Sequence, residues 1–210
     1  MSDDDFAAEP IKGLPERLPE GEHILWQGRP GWWALARESL ALYWVGGYFV
    51  ILFLWRMIVA AETMPWSQAA VASSFFLVLG AVVCLLLVVT AFVQARATVY
   101  TVTNRRVALR IGAALDMTLN LPYTQIGNAN LDLRKSGSGT IAFELMGTTK
   151  FSYLLCWPHI RPWRMARTEP AFRCIPDAAK VARLIADAAQ TRLSEPRLTR
   201  VDADDTVAAE

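Results

Sequence analysis

The side chains best suited to chemistry in this chain are two histidines, His23 and His159, three cysteines, Cys84, Cys156 and Cys174, and a scatter of arginines. Neither histidine has a carboxylate or cysteine beside it at metal-ligand spacing. Structural zinc needs four ligands and catalytic zinc about three, so no metal centre is expected. The cysteines are odd in number and form no Cys-x-x-Cys pair, which argues against a disulfide framework or a zinc site. Cys84 falls within an apolar run, where a thiol acts as a small hydrophobe. Gly137-Ser-Gly139 after Arg134-Lys135 has the glycines of a phosphate loop. It lacks the Gly-Lys-Ser/Thr ending and the following helix, so a hairpin turn is the better reading. No Ser/His/Asp arrangement can be assembled, because neither histidine has an oriented acid. The chain is expected to carry no catalytic residue, no cofactor and no enzymatic activity, and nucleic acid is not expected as a partner.

Contact chemistry is better represented. Arg105 and Arg106 load the tip of a predicted hairpin with positive charge, which suits lipid phosphates or a partner's carboxylates. The same charges also serve simply to fix membrane topology. In Trp157-Pro-His-Ile-Arg-Pro-Trp163, Pro158 and Pro162 remove two backbone donors and disfavour both helix and central strand. A rigid loop or sheet edge is expected there, with Trp157, His159, Arg161, Trp163 and Arg164 projecting outward as partner or lipid contacts. Tryptophan and arginine are the residues most enriched at binding hot spots. The competing reading is that the tryptophans cover the open end of the domain.

The elements that must position these residues begin with two apolar runs. Leu40 to Ala61 holds one charge, Arg56, and Ala69 to Val93 holds none. About 20 helical residues cross a bilayer core, so both runs are long enough to form a transmembrane hairpin. Arg56 lies close enough to the end of its run for its side chain to reach the interface. The connection 62–68 contains no Lys or Arg, whereas Arg29, Arg37, Arg96, Arg105, Arg106 and Arg110 flank the outer ends. The positive-inside rule then predicts cytoplasmic termini. Small residues at Gly46, Gly47, Ala69, Ser73 and Gly80 offer close-approach surfaces, either within the hairpin or in a homodimer.

Charge is segregated along the chain. Residues 1–28 carry seven acids against two bases, and residues 95–198 carry fifteen Lys/Arg against seven Asp/Glu. A basic domain suits an anionic leaflet, at about 1 kcal/mol per nearby Lys or Arg. Its short segments read as strands: Thr98–Thr103, Arg106–Ile111, Met117–Leu121, Ile126–Leu133, Thr140–Leu145 and Phe151–Leu155. Glycines punctuate them as turns. Ile175 to Gln190 then reads as an amphipathic helix, with Val181, Leu184, Ile185 and Ala188 at helical spacing. The expected architecture is α+β: a cytoplasmic segment 1–38, a transmembrane hairpin 39–95, a small antiparallel barrel or sandwich with a C-terminal helix at 96–198, and an acidic tail 199–210.

The order of these motifs adds a resemblance. Two spans precede Tyr100-Thr-Val-Thr-Asn-Arg-Arg-Val107, Gly112, Asn120-Leu-Pro-Tyr-Thr-Gln-Ile126 and Gly137-Ser-Gly-Thr-Ile141. That series resembles the bacterial pleckstrin-homology-like membrane domain. With Leu14-to-Pro30 and Trp157-to-Trp163 added, it is similar to the photosynthetic-complex assembly proteins of purple bacteria, over roughly residues 6–192. The resemblance implies a non-enzymatic factor of the bacterial inner (intracytoplasmic) membrane. Its implied partners are reaction-centre and core light-harvesting antenna subunits or their assembly intermediates. Pigment ligation by histidine is disfavoured, since such a ligand is expected inside a span and neither span has one. A membrane-lipid headgroup-binding module is the alternative function, resting on fold-level analogy; two spans with one charge disfavour a transporter.

Overall fold

A computed structural model of the chain describes residues 13–14, 16–112, 117–147 and 151–194. The acidic tail 199–210 lies outside the described residues. The chain opens with strand β1 (Ile24–Gly28) and a short helix, α1 (Trp32–Glu38). An apolar helical hairpin follows: α2 (Leu42–Ala61), then α3 (Trp66–Ser73) and α4 (Phe75–Ala97), which meet at Ser74. Residues 42–61 and 66–97 are each long and apolar enough to cross a membrane. Very little of either is buried inside the protein, unlike the core helix of a water-soluble domain. Tyr43, Trp44, Ile51, Trp55, Phe75, Val78 and Leu85 all face outward.

The hairpin packs through its small residues. A Cβ added at Gly80 would sit 2.6 Å from Cβ of Phe49, so only glycine admits that approach. Ala69 and Ser73 are fully buried within the same packing. Gly47, by contrast, has open space beside it and lines an apolar groove with Tyr43, Gly46 and Leu85.

Beyond α4 the chain forms β2 (Val99–Thr103), β3 (Arg106–Ile111) and β4 (Met117–Pro122). A single 3-10 turn, Tyr123–Gln125, leads to β5 (Ile126–Leu133) and β6 (Gly139–Leu145). One helical turn, α5 (Tyr153–Cys156), precedes β7 (Ala171–Ile175) and the closing helix α6 (Ala178–Ser194). The strands make two open antiparallel sheets, ordered β1-β2-β3-β4 and β5-β6-β7. The fold is therefore α+β, with a sandwich of open sheets rather than a closed barrel.

One core joins both sheets and α6. Val102, Leu109 and Leu121 from the first sheet meet Ile141, Phe143 and Phe172 from the second, and Val181 and Ile185 of α6 close it. Phe172 stacks on Tyr100 with ring centroids 4.4 Å apart and takes Phe143 edge-on at 5.2 Å. Aromatic pairs add directional preference to area burial: Phe172–Tyr100 seats one sheet against the other, and Phe143–Phe172 braces β6 against β7 within the second sheet.

Two expectations are corrected. Phe151–Leu155 is no strand: residues 153–156 form a helical turn that buries Cys156 and leaves Leu154 and Leu155 exposed. The place beside β6 belongs to β7, through the pair Ile141↔Phe172. The last helix also starts later than the sequence suggests, because Ile175 is the end of β7 and Asp177 adopts a left-handed φ of 49° before Ala178.

Candidate functional site

The β2–β3 hairpin is built from its sequence motif, and Thr103, Asn104 and Arg106 each bond there to the segment ahead of β1. Val102 pairs with Val107, leaving the two-residue turn Asn104-Arg105. Asn104 is not in a left-handed conformation, so its role is not conformational tolerance. Its Nδ2 donates to Gly21 O at 2.9 Å and its Oδ1 accepts from His23 N–H at 3.0 Å. Thr103 Oγ1 accepts from the backbone N–H of Arg106 at 3.0 Å and donates to Glu22 Oε1 at 2.8 Å. Arg106 Nε donates to the same carboxylate oxygen at 2.9 Å. Glu22 is nearly inaccessible, and a buried carboxylate demands such a partner. The motif is a clamp that fastens the chain ahead of the apolar hairpin onto the domain behind it. Of the two tip arginines, Arg106 is taken up by Glu22, and Arg105 leans over Gly21.

The Trp157–Trp163 segment divides in two. Ile160 bridges Pro170, and Arg161 N–H donates to Glu169 O at 2.9 Å, so the segment is a sheet edge. Trp163 is 89% exposed at a left-handed φ of 65°, with Trp157 and Arg164 also exposed. His159 departs from expectation: it points inward and is 2% exposed. Arg161 is held by Glu169, a buried carboxylate, at 3.0 Å; Arg164 stands 3.7 Å from the same group.

Around His159 runs a buried hydrogen-bond chain. The backbone N–H of Arg173 donates to Tyr100 Oη at 3.2 Å, Tyr100 Oη lies 2.6 Å from His159 Nδ1, and His159 Nε2 lies 3.1 Å from Thr98 Oγ1. Every bond is satisfied if Tyr100 donates to Nδ1 and Nε2–H donates to Thr98, which makes the imidazole neutral. Burial, assisted by the nearby Arg173 charge, lowers the His159 pKa to about 3. Burial pushes the Tyr100 hydroxyl far above its ordinary value, so it keeps the proton it donates.

The chain ends on the junction between hairpin and sheets. On one side α1 buries Leu35 and Ala36 against Ala91 and Ala95 of α4. Trp32 meets Phe92 edge-on at 6.2 Å, and Arg96 sits 5.0 Å from the centre of that ring. On the other side Gly31 N–H donates to Cys174 O at 2.9 Å, and Cys174 Sγ donates to Glu38 Oε2 at 3.0 Å. Glu38 also pairs with Arg134 of the β5–β6 turn, and Arg173 Nη2 donates to Ser39 Oγ at 2.8 Å. Burial pushes the Cys174 thiol up, with Arg173 and Arg134 opposing it, so it is a protonated donor. The helix α1 is thus the mechanical joint of the molecule.

None of Glu22, Glu38 or Arg173 stands out in the sequence. Arg173 sits mid-strand between Phe172 and Cys174, and a charge there reads as a surface residue. Arg134 sits in the glycine-flanked turn, which is a hairpin turn as expected, closed by Arg134 N–H to Ser138 O at 2.9 Å. Among the described residues, no group of three or more His, Cys, Asp and Glu side chains is placed to hold a metal ion.

Comparison with known proteins agrees with this architecture. The bacterial PH domain family matches residues 40–189. The chain is 44% identical over 205 residues to an uncharacterized 23.7 kDa protein in the puhA 5′ region of Rhodobacter capsulatus, covering 94% of each chain. No solved structure matches it.

Proposed function

The chain belongs to the bacterial PH domain family, and from that premise we propose that it is a non-enzymatic assembly factor for the photosynthetic reaction centre and core antenna. The observation that carries this reading is the relative in the puhA 5′ region, alike over nearly the full length of both chains. The locus name agrees with the sequence's resemblance to the photosynthetic complex assembly protein PuhB.

In this reading the apolar hairpin is inserted in the bacterial inner (intracytoplasmic) membrane. Its outward-facing aromatic and aliphatic side chains form a surface far larger than a water-soluble protein sustains. Both termini are cytoplasmic, in keeping with the arginine-flanked outer ends and the Lys/Arg-free connection 62–68. The PH-like domain is then held at the bilayer by α1, beside newly inserted reaction-centre and antenna polypeptides. Trp157, Trp163 and Arg164 form the exposed edge offered to them, and the groove at Gly46 and Gly47 is where a second copy would pack.

Deleting the gene in a photosynthetic host tests the reading. Reaction-centre absorbance and photosynthetic growth should fall while respiratory growth is unchanged, and tagged protein should co-purify with reaction-centre or antenna subunits. Normal absorbance in the deletion strain overturns it.

A further inference from the structure

A cavity of 420 Å³ opens where the C-terminal end of α1, the β5–β6 hairpin and β7 meet. Two of its lining side chains, Thr140 and Arg173, are only 6% and 5% exposed. Each carries a buried polar atom with no hydrogen-bond partner in the protein, Thr140 Oγ1 and Arg173 Nε. Native interiors rarely leave such atoms unpaired, and two beside one cavity call for a common ligand.

Charge tells which ligand. Three arginines, Arg134, Arg161 and Arg173, and two carboxylates, Glu38 and Asp132, line the cavity. Arg134 is paired with Glu38 and stands 3.8 Å from Asp132, and Arg161 is paired with Glu169. Arg173 contacts only neutral groups through its terminal nitrogens, Ile160 O at 3.2 Å and Ser39 Oγ at 2.8 Å. Among the described residues no carboxylate is in ion-pair contact with it. A guanidinium buried without a counter-charge is strongly unfavourable.

We propose that this cavity binds a phosphate group, with Arg173 Nε and the Thr140 hydroxyl donating to its oxygens. The arginine fork matches phosphate geometry, and charge-assisted bonds of this kind are the strong ones. A phosphodiester carries one negative charge, which balances the one unpaired guanidinium. Location favours a lipid as its source. Ser39, which holds Arg173, lies three residues before Leu42, the first residue of the apolar helix α2. With the hairpin in a bilayer, the cavity stands at the level of the headgroups.

The test uses the full chain purified in detergent at constant ionic strength, titrated with short-chain phosphatidylglycerol in one arm and inorganic phosphate in the other, with Tm as the readout. Arg173→Lys keeps the charge but loses Nε–H. Thr140→Val removes the orphan hydroxyl at nearly constant shape. It should leave the ligand-free Tm unchanged or higher, since an unpaired buried hydroxyl is unfavourable. It should also bind roughly tenfold more weakly, the effect of losing one charge-assisted hydrogen bond. A merely structural threonine would not separate those two effects. A shift with the lipid supports a headgroup site; a shift with inorganic phosphate alone supports the site with free phosphate as its ligand. No shift with either probe, or equal shifts in the wild type and both variants, overturns the proposal.

Discussion

Tyr100 Oη stands 2.6 Å from Nδ1 of His159, tying the first strand after the apolar hairpin to the proline-flanked edge segment. With the Tyr100 hydroxyl as donor the bond uses the lone pair of a neutral imidazole, and burial keeps the ring neutral, with a pKa of about 3 against 6.5 unperturbed. Below pH 6.5 the unfolded chain binds a proton at this position that the folded chain refuses. The stability contributed by the neutral imidazole is therefore complete above pH 6.5 and is lost as pH falls toward 3, by about 1.4 kcal/mol per pH unit. Thermal unfolding in detergent should show Tm falling between pH 7 and pH 5. His159→Gln, which cannot titrate, should start lower and fall less steeply. Parallel slopes for the two proteins would remove His159 as the cause.

The Arg106–Glu22 contact yields a second prediction. Glu22 is buried and its carboxylate is shared by Arg106 Nε and the Thr103 hydroxyl. Arg106→Ala strands a buried charge, whereas Glu22→Gln keeps a hydrogen-bonding group of the same shape. Arg106→Ala should lower stability by about 2 kcal/mol, below the 3–5 of a fully buried pair because Arg106 is partly exposed. The Arg106→Ala/Glu22→Gln double variant should recover part of that loss. A double-mutant cycle on unfolding free energies measures the coupling; additive losses would mean that the pair does not interact.

The same clamp marks the limit of what local sequence reveals. The hairpin 99–111 is legible because its register follows from alternation and a two-residue turn. The apolar helices are legible because nothing polar interrupts them. Strand β1, ILWQG, is not: its partner β2 lies beyond the whole apolar hairpin, and Glu22, which stands before it, contacts a side chain 84 positions away. Strand β7 is hidden by Arg173 at its centre, a charge that reads as surface until Ile160 O and Ser39 are seen to receive it. The two prolines rightly exclude helix and central strand around His159. The inward turn of the ring depends on Tyr100, 59 residues earlier, which no local pattern contains.

Orientation of the hairpin is tested by fusion. The connection 62–68 has no Lys or Arg, while the arginines cluster at the opposite ends of both helices. A reporter active only in the periplasm should work when fused at Trp66 and stay silent when fused after Arg192. The reverse pattern would invert the proposed topology and place the PH-like domain outside the cytoplasm.

The exposed edge at Trp163 gives the last prediction, and the structure changes which residue should be substituted. Arg161 and Arg164 look like free contact residues in the sequence, yet both approach the buried carboxylate of Glu169, at 3.0 and 3.7 Å. Replacing both with alanine would leave Glu169 without a cation, and a loss of the protein would then say nothing about partners. Trp163 has no such duty: its side chain is 89% exposed, so truncation to alanine leaves no cavity. Surface substitutions of this kind change stability by about 0.5 kcal/mol or less. A large aromatic ring held outward is what a binding hot spot requires. Trp163→Ala should therefore insert, accumulate and unfold like the wild type while lowering reaction-centre yield in photosynthetically grown cells. Stable protein with unchanged reaction-centre absorbance would show that the ring contacts no assembly partner. A drop in Tm by several degrees would show instead that Trp163 supports the sheet edge itself.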